Sequence, residues 1–301
     1  MNIELHDINE KLLADPNQFL EETDLAYQKR LSEIADDIAL HRAERPIILL
    51  SGPSGSGKTT TAHMIEQILD DRGIETHTLS LDNYFHSLTD EEKLLFAEGK
   101  LDLESPRRID SVFLSEQLTA LEEGRPVELP EYDFKESARK MSGRILQRKP
   151  GELVILEGIH SLNPDVIRIP DELTARIYIS VRTRITADGE VLHPSKIRLM
   201  RRMVRDRLFR KRSLQETLMM FRSVEEGENK YIMPYKYRST YDVDTFMAYE
   251  ICAYKPCLSA DFQSMLDEPE IQDADAFLTR AAALSSKQLP ENSLIREFVG
   301  F

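Results

Sequence analysis

A glycine-rich turn at residues 52–59 constrains the fold of this chain more than any other segment. It reads GPSGSGKT and matches G-x-x-x-x-G-K-[ST] at every fixed position. The apolar run 47–50 precedes it, and the helical pattern TTTAHMIEQILDDRG follows the lysine. This strand, loop and helix predict backbone N–H groups that bind phosphate at the start of a helix. A Gly- and Ser-rich helix cap is the alternative, and the number of matched positions together with the flanking pattern disfavours it.

The residue types in this loop predict distinct contacts to a nucleotide. We expect Lys58 to bridge the β- and γ-phosphates and the Thr59 hydroxyl to coordinate Mg²⁺. The predicted ATP-binding set is Gly52, Ser54, Gly55, Ser56, Gly57, Lys58, Thr59 and Thr60. Nucleotide binding does not by itself identify a reaction, because GTPase switches, transporter ATPases and small-molecule kinases all use such a loop.

Charge and composition narrow the class of protein. The 301 residues carry a net charge of −14, yet residues 196–212 hold nine Lys or Arg against one Asp, a local charge of +8. This asymmetry favours a focused anion site and disfavours general nucleic-acid binding. No signal-like N-terminus and no apolar run near the ~20 residues of a membrane span are present, so we expect a cytoplasmic protein without membrane contact. Cys252 and Cys257 lack metal or disulfide spacing.

The pattern of apolar runs predicts a mostly parallel, three-layer α/β sheet of the P-loop NTPase type. Further strands are predicted at 75–81, 153–156, 176–181 and 243–248, and helices at 17–43, 110–122 and 163–168. Prolines enclose residues 126–150, which we interpret as an inserted hairpin or substrate flap. We divide the chain into a helical N-terminal extension (1–45), a core (46–250) and a helical C-terminal extension (251–301). Oligomerisation through the terminal helices is a hypothesis from their amphipathic pattern.

Two acidic residues follow predicted strands. Asp82 comes directly after the second strand, and Glu157 closes the run 154–156 before a glycine. Ligands of open α/β sheets bind at this edge, where Asp82 could act as a general base and Glu157 could hold Mg²⁺. A turn made by Asp82 with Asn83, or a helix cap at Glu157, is the alternative. The histidines show no metal-binding spacing, so His160 is interpreted as a packing residue.

The basic segment SKIRLMRRMVRDRLFRKR at 195–212 is predicted to be a helix with one apolar and one cationic face. Arg198, Arg201, Arg202 and Arg205 fall within an arc of about 100°. Such an arc could clamp phosphate oxygens and neutralise developing charge, as a closing lid would. A solvated basic face or an RNA contact is the alternative, which the phosphate loop elsewhere in the chain makes less attractive.

Five blocks, in order and spacing, resemble the uridine kinase and phosphoribulokinase-like family of P-loop kinases across residues 45–250. They are GPSGSGKTT (52–60), LDNYF (81–85), PEYDF (130–134), VILEGIHSL (154–162) and RRMVRDRLFRKR (201–212). The resemblance implies a parallel-sheet kinase core, ATP with Mg²⁺, and phosphorylation of a primary hydroxyl, which in uridine kinases is the ribose 5′-OH.

The same resemblance implies a role for each matching position. Asp82 corresponds to the general base, Lys58 and Arg205 to catalytic cations, and Thr59 and Glu157 to metal-binding residues. Acceptor-binding residues would be Phe85, Glu104, Tyr132, Ser137, Arg202 and Arg205, and further ATP-binding residues would be Arg210 and Arg212.

The chain departs from the family pattern at three places. Ser137 stands where uridine kinases usually have a histidine, Lys211 replaces the usual glycine between two arginines, and LDLESPRRID replaces an aspartate-rich acceptor loop. These departures leave the acceptor open: a nucleoside such as uridine or cytidine, or another small alcohol such as phosphoribulose or pantothenate. A nucleotide-binding regulatory protein and an RNA-associated ATPase are hypotheses from other classes. The first is weakened by the absence of N-K-x-D and L-S-G-G-Q, and the second by the acidic net charge.

Overall fold

A computed structural model describes residues 1–300, and within them ten β-strands and ten α-helices follow one another. The strands are β1 (Asn2–Glu4), β2 (Ile47–Ser51), β3 (Thr76–Ser80), β4 (Val127–Asp133), β5 (Ala138–Leu146), β6 (Leu153–Glu157), β7 (Thr174–Ser180), β8 (Arg184–Ala187), β9 (Glu190–Leu192) and β10 (Tyr241–Asp244). The helices are α1 (Leu5–Ala14), α2 (Pro16–Leu40), α3 (Lys58–Asp71), α4 (Asp90–Ala97), α5 (Ser111–Glu122), α6 (Pro194–Arg210), α7 (Leu214–Tyr231), α8 (Glu250–Phe262), α9 (Pro269–Arg280) and α10 (Arg296–Val299). None of these helices is both long and apolar enough to cross a bilayer.

Five parallel strands form the central sheet in the order β10-β7-β2-β6-β3. Every residue of β2 and β6 is buried, as expected for strands that helices cover on both faces. Alternate residues of β2 enter two separate hydrophobic clusters. Ile48 packs in the cluster that includes Ile65 of α3, and Ile47 packs in the cluster that includes Leu114 of α5. The three-layer α/β fold predicted from the sequence is therefore confirmed.

The strand order brings three chain segments to one edge of the sheet. β6 lies between β2 and β3, and Glu157 at its end is in register with both Leu50 and Ser80. Because all three strands are parallel, the loop after β2, the segment after β3 and the end of β6 meet at their common carboxyl edge. This edge holds the candidate site.

Most predicted elements lie close to the observed ones, with two corrections. The last sheet strand spans Tyr241–Asp244, earlier than the predicted 243–248. The helix predicted at 163–168 was wrong, because this segment forms turns. There the Asn163 side chain accepts a hydrogen bond from the backbone N–H of Asp165 at 2.9 Å, which is a local turn contact that competes with helix formation.

The predicted hairpin is present as the antiparallel pair β4 and β5, with a bulge between Glu128 and Pro130. A proline is tolerated there because a bulge does not need its missing N–H. The hairpin is tied to the segment after β3, since the backbone N–H of Tyr132 donates to Asn83 Oδ1 at 3.2 Å. Its aromatic residues therefore lie beside the carboxyl edge of the sheet.

The terminal helices share a hydrophobic core with the sheet. Leu31 of α2 and Phe277 of α9 belong to the same buried cluster as Ile48 of β2. The amphipathic helix predicted at 17–43 is confirmed as α2. A small sheet in the order β1-β8-β9, which the sequence patterns did not predict, joins the N-terminal segment to the chain after β7. The boundaries of the two extensions remain a proposal.

Candidate active site

The phosphate loop has a backbone shape that requires glycine. A Cβ atom on Gly52 would lie 2.0 Å from the Ile179 carbonyl oxygen, closer than any side chain allows. Gly55 and Gly57 have φ values of +75° and +85°, in the left-handed region that favours glycine. The spacing of glycines in the sequence thus follows from a close approach to β7 and two left-handed turns.

Three consecutive residues at the start of α3 have different surroundings. Lys58 Nζ donates to the Pro53 carbonyl at 3.2 Å, so its ammonium group folds back over the loop. Thr59 is exposed, which leaves its hydroxyl open to a ligand. The Thr60 hydroxyl donates to Glu297 Oε2 of α10 at 2.6 Å. Sequence analysis assigned Thr60 to ATP and gave no signal for its contact with the C-terminal helix.

Two carboxyl groups face the loop from the adjoining strand ends. Burial raises the pKa of Asp82, and the neighbouring cations, Lys58 first among them, offset part of this effect. Burial likewise raises the pKa of Glu157, with Lys58 opposing and Asp82 reinforcing the shift. The positive charge of Lys58 therefore acts on both carboxyl groups at this edge of the sheet. A carboxyl with a raised pKa binds a proton more readily, as a general base must.

The donor groups at this edge fit a magnesium ion that is bound with a nucleotide. Thr59 and Glu157 offer only oxygen atoms, the ligands that Mg²⁺ prefers. Residues 1–300 contain no cluster of three or more His, Cys, Asp or Glu side chains that could hold a metal ion alone. Phosphate oxygens and water would therefore have to complete the coordination, as is usual for Mg²⁺ in kinases.

A cluster of three aromatic side chains lies next to the segment that carries Asp82. The rings of Phe85 and Tyr132 meet edge to face with centroids 5.5 Å apart, and Phe134 contacts Tyr132 in the same way at 5.1 Å. The guanidinium of Arg108 lies 4.8 Å from the centre of the Phe85 ring and is one of the cations that act on Asp82. Sequence analysis identified Phe85 and Tyr132 but missed Arg108, because the PRR segment matches no motif.

Glu104 is a half-buried acid on which the charges of Arg202 and Lys58 act. Burial raises the pKa of Glu104 to about 7, while Arg202 and Lys58 lower it in part. In the part of the chain that the structure describes, its Oε2 has no hydrogen-bond partner. His160 Nε2 lies 2.8 Å from the Glu104 backbone carbonyl, and burial lowers the pKa of His160 to about 4, so the neutral ring donates this bond. His160 thus packs beside the segment that carries Glu104 and positions its backbone.

Arg202 contacts the phosphate loop directly. Its Nη1 donates to the Ser54 hydroxyl at 2.6 Å, and its side chain passes beside Gly55. Burial lowers the pKa of Arg202 to about 10, with partial compensation from Asp206. The group remains a cation at neutral pH.

Asp206 gathers the other predicted arginines at the end of α6. It is fully buried and lies 3.1 Å from Arg205, 3.3 Å from Arg210 and 3.6 Å from Arg212 in nitrogen-to-oxygen distance. One carboxylate therefore holds three guanidinium groups together, with Arg210 close enough to act on Asp82. Sequence analysis assigned the arginines but not the aspartate between them.

The predicted arc of phosphate-clamping arginines needs correction at two positions. Arg198 is buried and pairs with Glu228 of α7 at 2.5 Å, and Arg201 is completely buried and pairs with Glu250 of α8 at 2.7 Å. α6 packs against α7, α8 and α10 and is not a solvated helix. Helical periodicity identifies the cationic face but not the neighbours that cover it.

Two departures from the family pattern lie in left-handed backbone. Ser137 has φ +50° in the turn between β4 and β5, where its carbonyl accepts from the Leu88 N–H at 2.9 Å. Lys211 has φ +54° and ends α6, with its N–H donating to the Asp206 carbonyl. A glycine suits such a helix end, so Lys211 keeps the backbone shape that glycine would adopt. An acceptor-binding role for Ser137 stays a prediction.

Comparison with known proteins agrees with this geometry. The model described as the phosphoribulokinase / uridine kinase family matches residues 47–248. Uridine kinases from Lactobacillus johnsonii and Lactobacillus helveticus are 32% and 31% identical over 200 residues, which cover 65% of this chain and 84% of each relative. A solved structure from Silicibacter sp., a candidate fructose transport system kinase, aligns with a TM-score of 0.51 at 16% identity, over 71% of this chain and 98% of that one, which is a likeness of fold.

Proposed function

The chain belongs to the phosphoribulokinase and uridine kinase family, and we propose that it transfers the γ-phosphate of ATP to the 5′-hydroxyl of a nucleoside such as uridine or cytidine. One observation carries the proposal: the phosphate loop after β2 and the half-buried Asp82 after β3 lie at the same edge of the sheet. In this proposal a phosphate donor held by the loop would lie near a proton acceptor, as in-line transfer to an alcohol requires.

In this proposal Asp82 takes the proton of the acceptor hydroxyl as the hydroxyl oxygen attacks phosphorus. Its raised pKa suits this role, because the proton affinity of the base lies nearer to neutral pH than that of an exposed aspartate. Lys58 holds the phosphates from the side of the loop. Its positive charge also favours the ionised form of the Asp82 carboxyl group. The same lysine therefore serves both reactants.

The other groups bind charge and exclude water. Mg²⁺, held through Thr59 and Glu157, would neutralise charge on the phosphate oxygens when bound. Arg205, Arg210 and Arg212, which Asp206 holds together, supply positive charge next to the transferred group. In this proposal these arginines close over the bound reactants, which keeps water from competing with the alcohol as acceptor.

Several features support a nucleoside as the acceptor. The relatives with about 30% identity are named uridine kinases. The largely buried rings of Phe85 and Tyr132 form an apolar wall against which a base could pack. The unpartnered oxygen of Glu104 can accept hydrogen bonds from ribose hydroxyls.

One observation favours a second candidate, a kinase for an anionic small alcohol of the phosphoribulose or pantothenate type. Arg108 lies over the Phe85 ring, where it covers one face that a base could stack on, and Arg107 and His86 line the adjoining cavity. The guanidinium groups of Arg107 and Arg108 suit a carboxylate or phosphate on the acceptor.

A product assay separates the two candidates. The protein is incubated with Mg·ATP and either nucleosides or anionic alcohols, and phosphorylated products are measured by mass spectrometry. We expect a nucleoside 5′-monophosphate; product from anionic alcohols alone would support the second candidate. ATP hydrolysis without any phosphorylated alcohol would contradict both.

The acceptor affinity should depend on the ionisation of Glu104. Its pKa is raised to about 7, so the carboxylate that accepts hydroxyl hydrogen bonds forms only as pH rises through this value. We expect kcat/KM for the acceptor to increase between about pH 6 and 8, where a group of this pKa titrates. Glu104→Gln should lower kcat/KM and remove this step. An unchanged pH profile in the variant would exclude Glu104 as the titrating group.

Glu297 should weaken ATP binding in the wild-type protein. The Thr60 hydroxyl has one proton, which it donates to Glu297, and it cannot at the same time donate to a phosphate. The negative charges of Glu297 and of a bound phosphate would also repel each other by about 1 kcal/mol at ~5 Å in a site that is open to water. We expect Glu297→Gln to lower the KM for ATP about five-fold. Exposed Glu291 in the same segment provides the control, since Glu291→Gln should have no effect. A higher KM in the Glu297 variant would mean that this side chain supports ATP binding.

A further inference from the structure

Three consecutive carbonyl groups of the phosphate loop are held by side chains from outside the loop. The bonds join Ser54 O to Arg198 Nη1 (3.2 Å), Gly55 O to Arg201 Nη1 (3.2 Å) and Ser56 O to Thr245 Oγ1 (2.7 Å). Two donors lie on α6 and the third directly follows β10. On the side of the loop that faces α6 and Thr245, all three carbonyl groups therefore accept a hydrogen bond.

Holding the carbonyls also directs the N–H groups. In a trans peptide the carbonyl and the following N–H point to opposite sides, and residues 1–300 contain no cis peptide. Fixing the carbonyls of Ser54 and Ser56 thus turns the N–H group of Gly55 away from α6 and that of Gly57 away from Thr245, to the opposite side of the loop. The third N–H, that of Ser56, closes the turn on the Pro53 carbonyl at 3.2 Å.

The loop needs this outside support because of its glycines. Gly55 and Gly57 belong to the held peptide groups, and glycine adopts positive and negative φ with similar ease. A peptide flip would therefore cost little in the loop alone, and it would aim a carbonyl oxygen at the phosphate where an N–H is needed. The outside bonds oppose such a flip.

The group that holds the loop is itself rigid. Arg201 has no exposed surface, and its guanidinium makes two bonds to Glu250, at 2.7 and 2.9 Å, and one to the Thr245 carbonyl at 2.6 Å. Glu250 also accepts from the Tyr254 hydroxyl at 2.8 Å and the Met247 N–H at 3.0 Å. A planar guanidinium can serve a carboxylate and carbonyls at once, which a lysine cannot.

We propose that Arg201 and Thr245 are positioning residues that hold the peptide groups of the phosphate loop in the orientation that binds phosphate. Arg201 is fully engaged by protein groups, so it acts through the loop and does not touch substrate. The proposal deepens the nucleotide half of the proposed function and rests on that half alone.

The test uses Thr245→Val, which replaces the hydroxyl by a methyl group of similar size and leaves the Ser56 carbonyl without its donor. Mg·ADP affinity is measured by isothermal titration calorimetry on protein shown to be folded by circular dichroism. We expect binding about 10- to 100-fold weaker than in the wild type, and Thr245→Ser should restore it by keeping the hydroxyl. Thr174→Val is the matched control: this buried hydroxyl donates to a carbonyl at the opposite edge of the sheet, and ADP affinity should not change.

A second variant keeps the proposal testable if Thr245→Val does not fold. Arg201→Lys keeps the positive charge beside Glu250 but loses the planar guanidinium group that bonds Glu250 and the loop carbonyl at once. The folded variant should therefore also bind ADP more weakly. Wild-type ADP affinity in the folded Thr245 variant, or in the Arg201 variant where the first does not fold, would overturn the proposal. If the wild type binds no ADP, both this proposal and the proposed function fail. If ADP affinity depends on Thr245 but no alcohol is phosphorylated, only the kinase proposal fails.

Discussion

Replacing Asp82 by asparagine is expected to lower kcat by about 10²- to 10⁴-fold while the KM for ATP stays near its wild-type value. Asparagine keeps the shape of the side chain but cannot take the proton of the attacking hydroxyl. Burial raises the pKa of Asp82, so the wild-type enzyme should lose kcat as the pH falls through this raised value. The variant should lack this acid limb, which steady-state kinetics across the pH range will show.

The exposed residue Asp165 offers a matched control, because Asp165→Asn makes the same chemical change outside the site. Its kinetics should equal those of the wild type. A wild-type kcat in the Asp82 variant would exclude this residue as the base. Activity that returns with excess Mg²⁺ would instead make Asp82 a metal-binding residue.

Lys58→Ala should lower kcat by about 10²- to 10³-fold even at saturating ATP, because the ammonium group stabilises charge that develops during transfer. A second effect follows from its position. Lys58 lowers the pKa of both Asp82 and Glu157, so its loss should move the acid limb of the pH profile to higher pH. The measurement is kcat against pH for the two proteins.

Lys230→Ala removes a lysine from an exposed helix position and serves as the control for general effects of lost charge. A Lys58 variant with normal kcat and an unshifted acid limb would contradict the assignment of the phosphate loop as the site of transfer. A raised KM alone would restrict Lys58 to ground-state binding.

The parts of the site that could be predicted are those encoded by neighbouring residues or by strand ends. Gly52, Gly55, Gly57 and Lys58 form one continuous motif, and its loop shape follows from steric limits on the backbone. Asp82 was predicted to lie at the ligand-binding edge because it follows an apolar run, and parallel strands bring such ends together. The hairpin was found from its flanking prolines for a similarly local reason.

The parts that were missed depend on contacts between distant segments. Arg201 is about 50 residues from Glu250 in the chain, and Thr60 is 237 residues from Glu297. Helical periodicity assigned the arginines of α6 to one face, but only the packing of α7, α8 and α10 decides which of them is buried. Arg108 lies in a segment without regular pattern, where the sequence contains no local signal of its position over Phe85.

The central claim is that the loop after β2 holds ATP with its terminal phosphate toward Asp82. A crystal structure of the protein with Mg²⁺, a non-hydrolysable ATP analogue and the acceptor found in the product assay measures this directly. We expect the acceptor hydroxyl to lie between the Asp82 carboxylate and the γ-phosphorus, within hydrogen-bond distance of the carboxylate and in line with the bond that breaks. A bound triphosphate whose terminal group points away from Asp82, with the hydroxyl out of reach of its carboxylate, would contradict the claim.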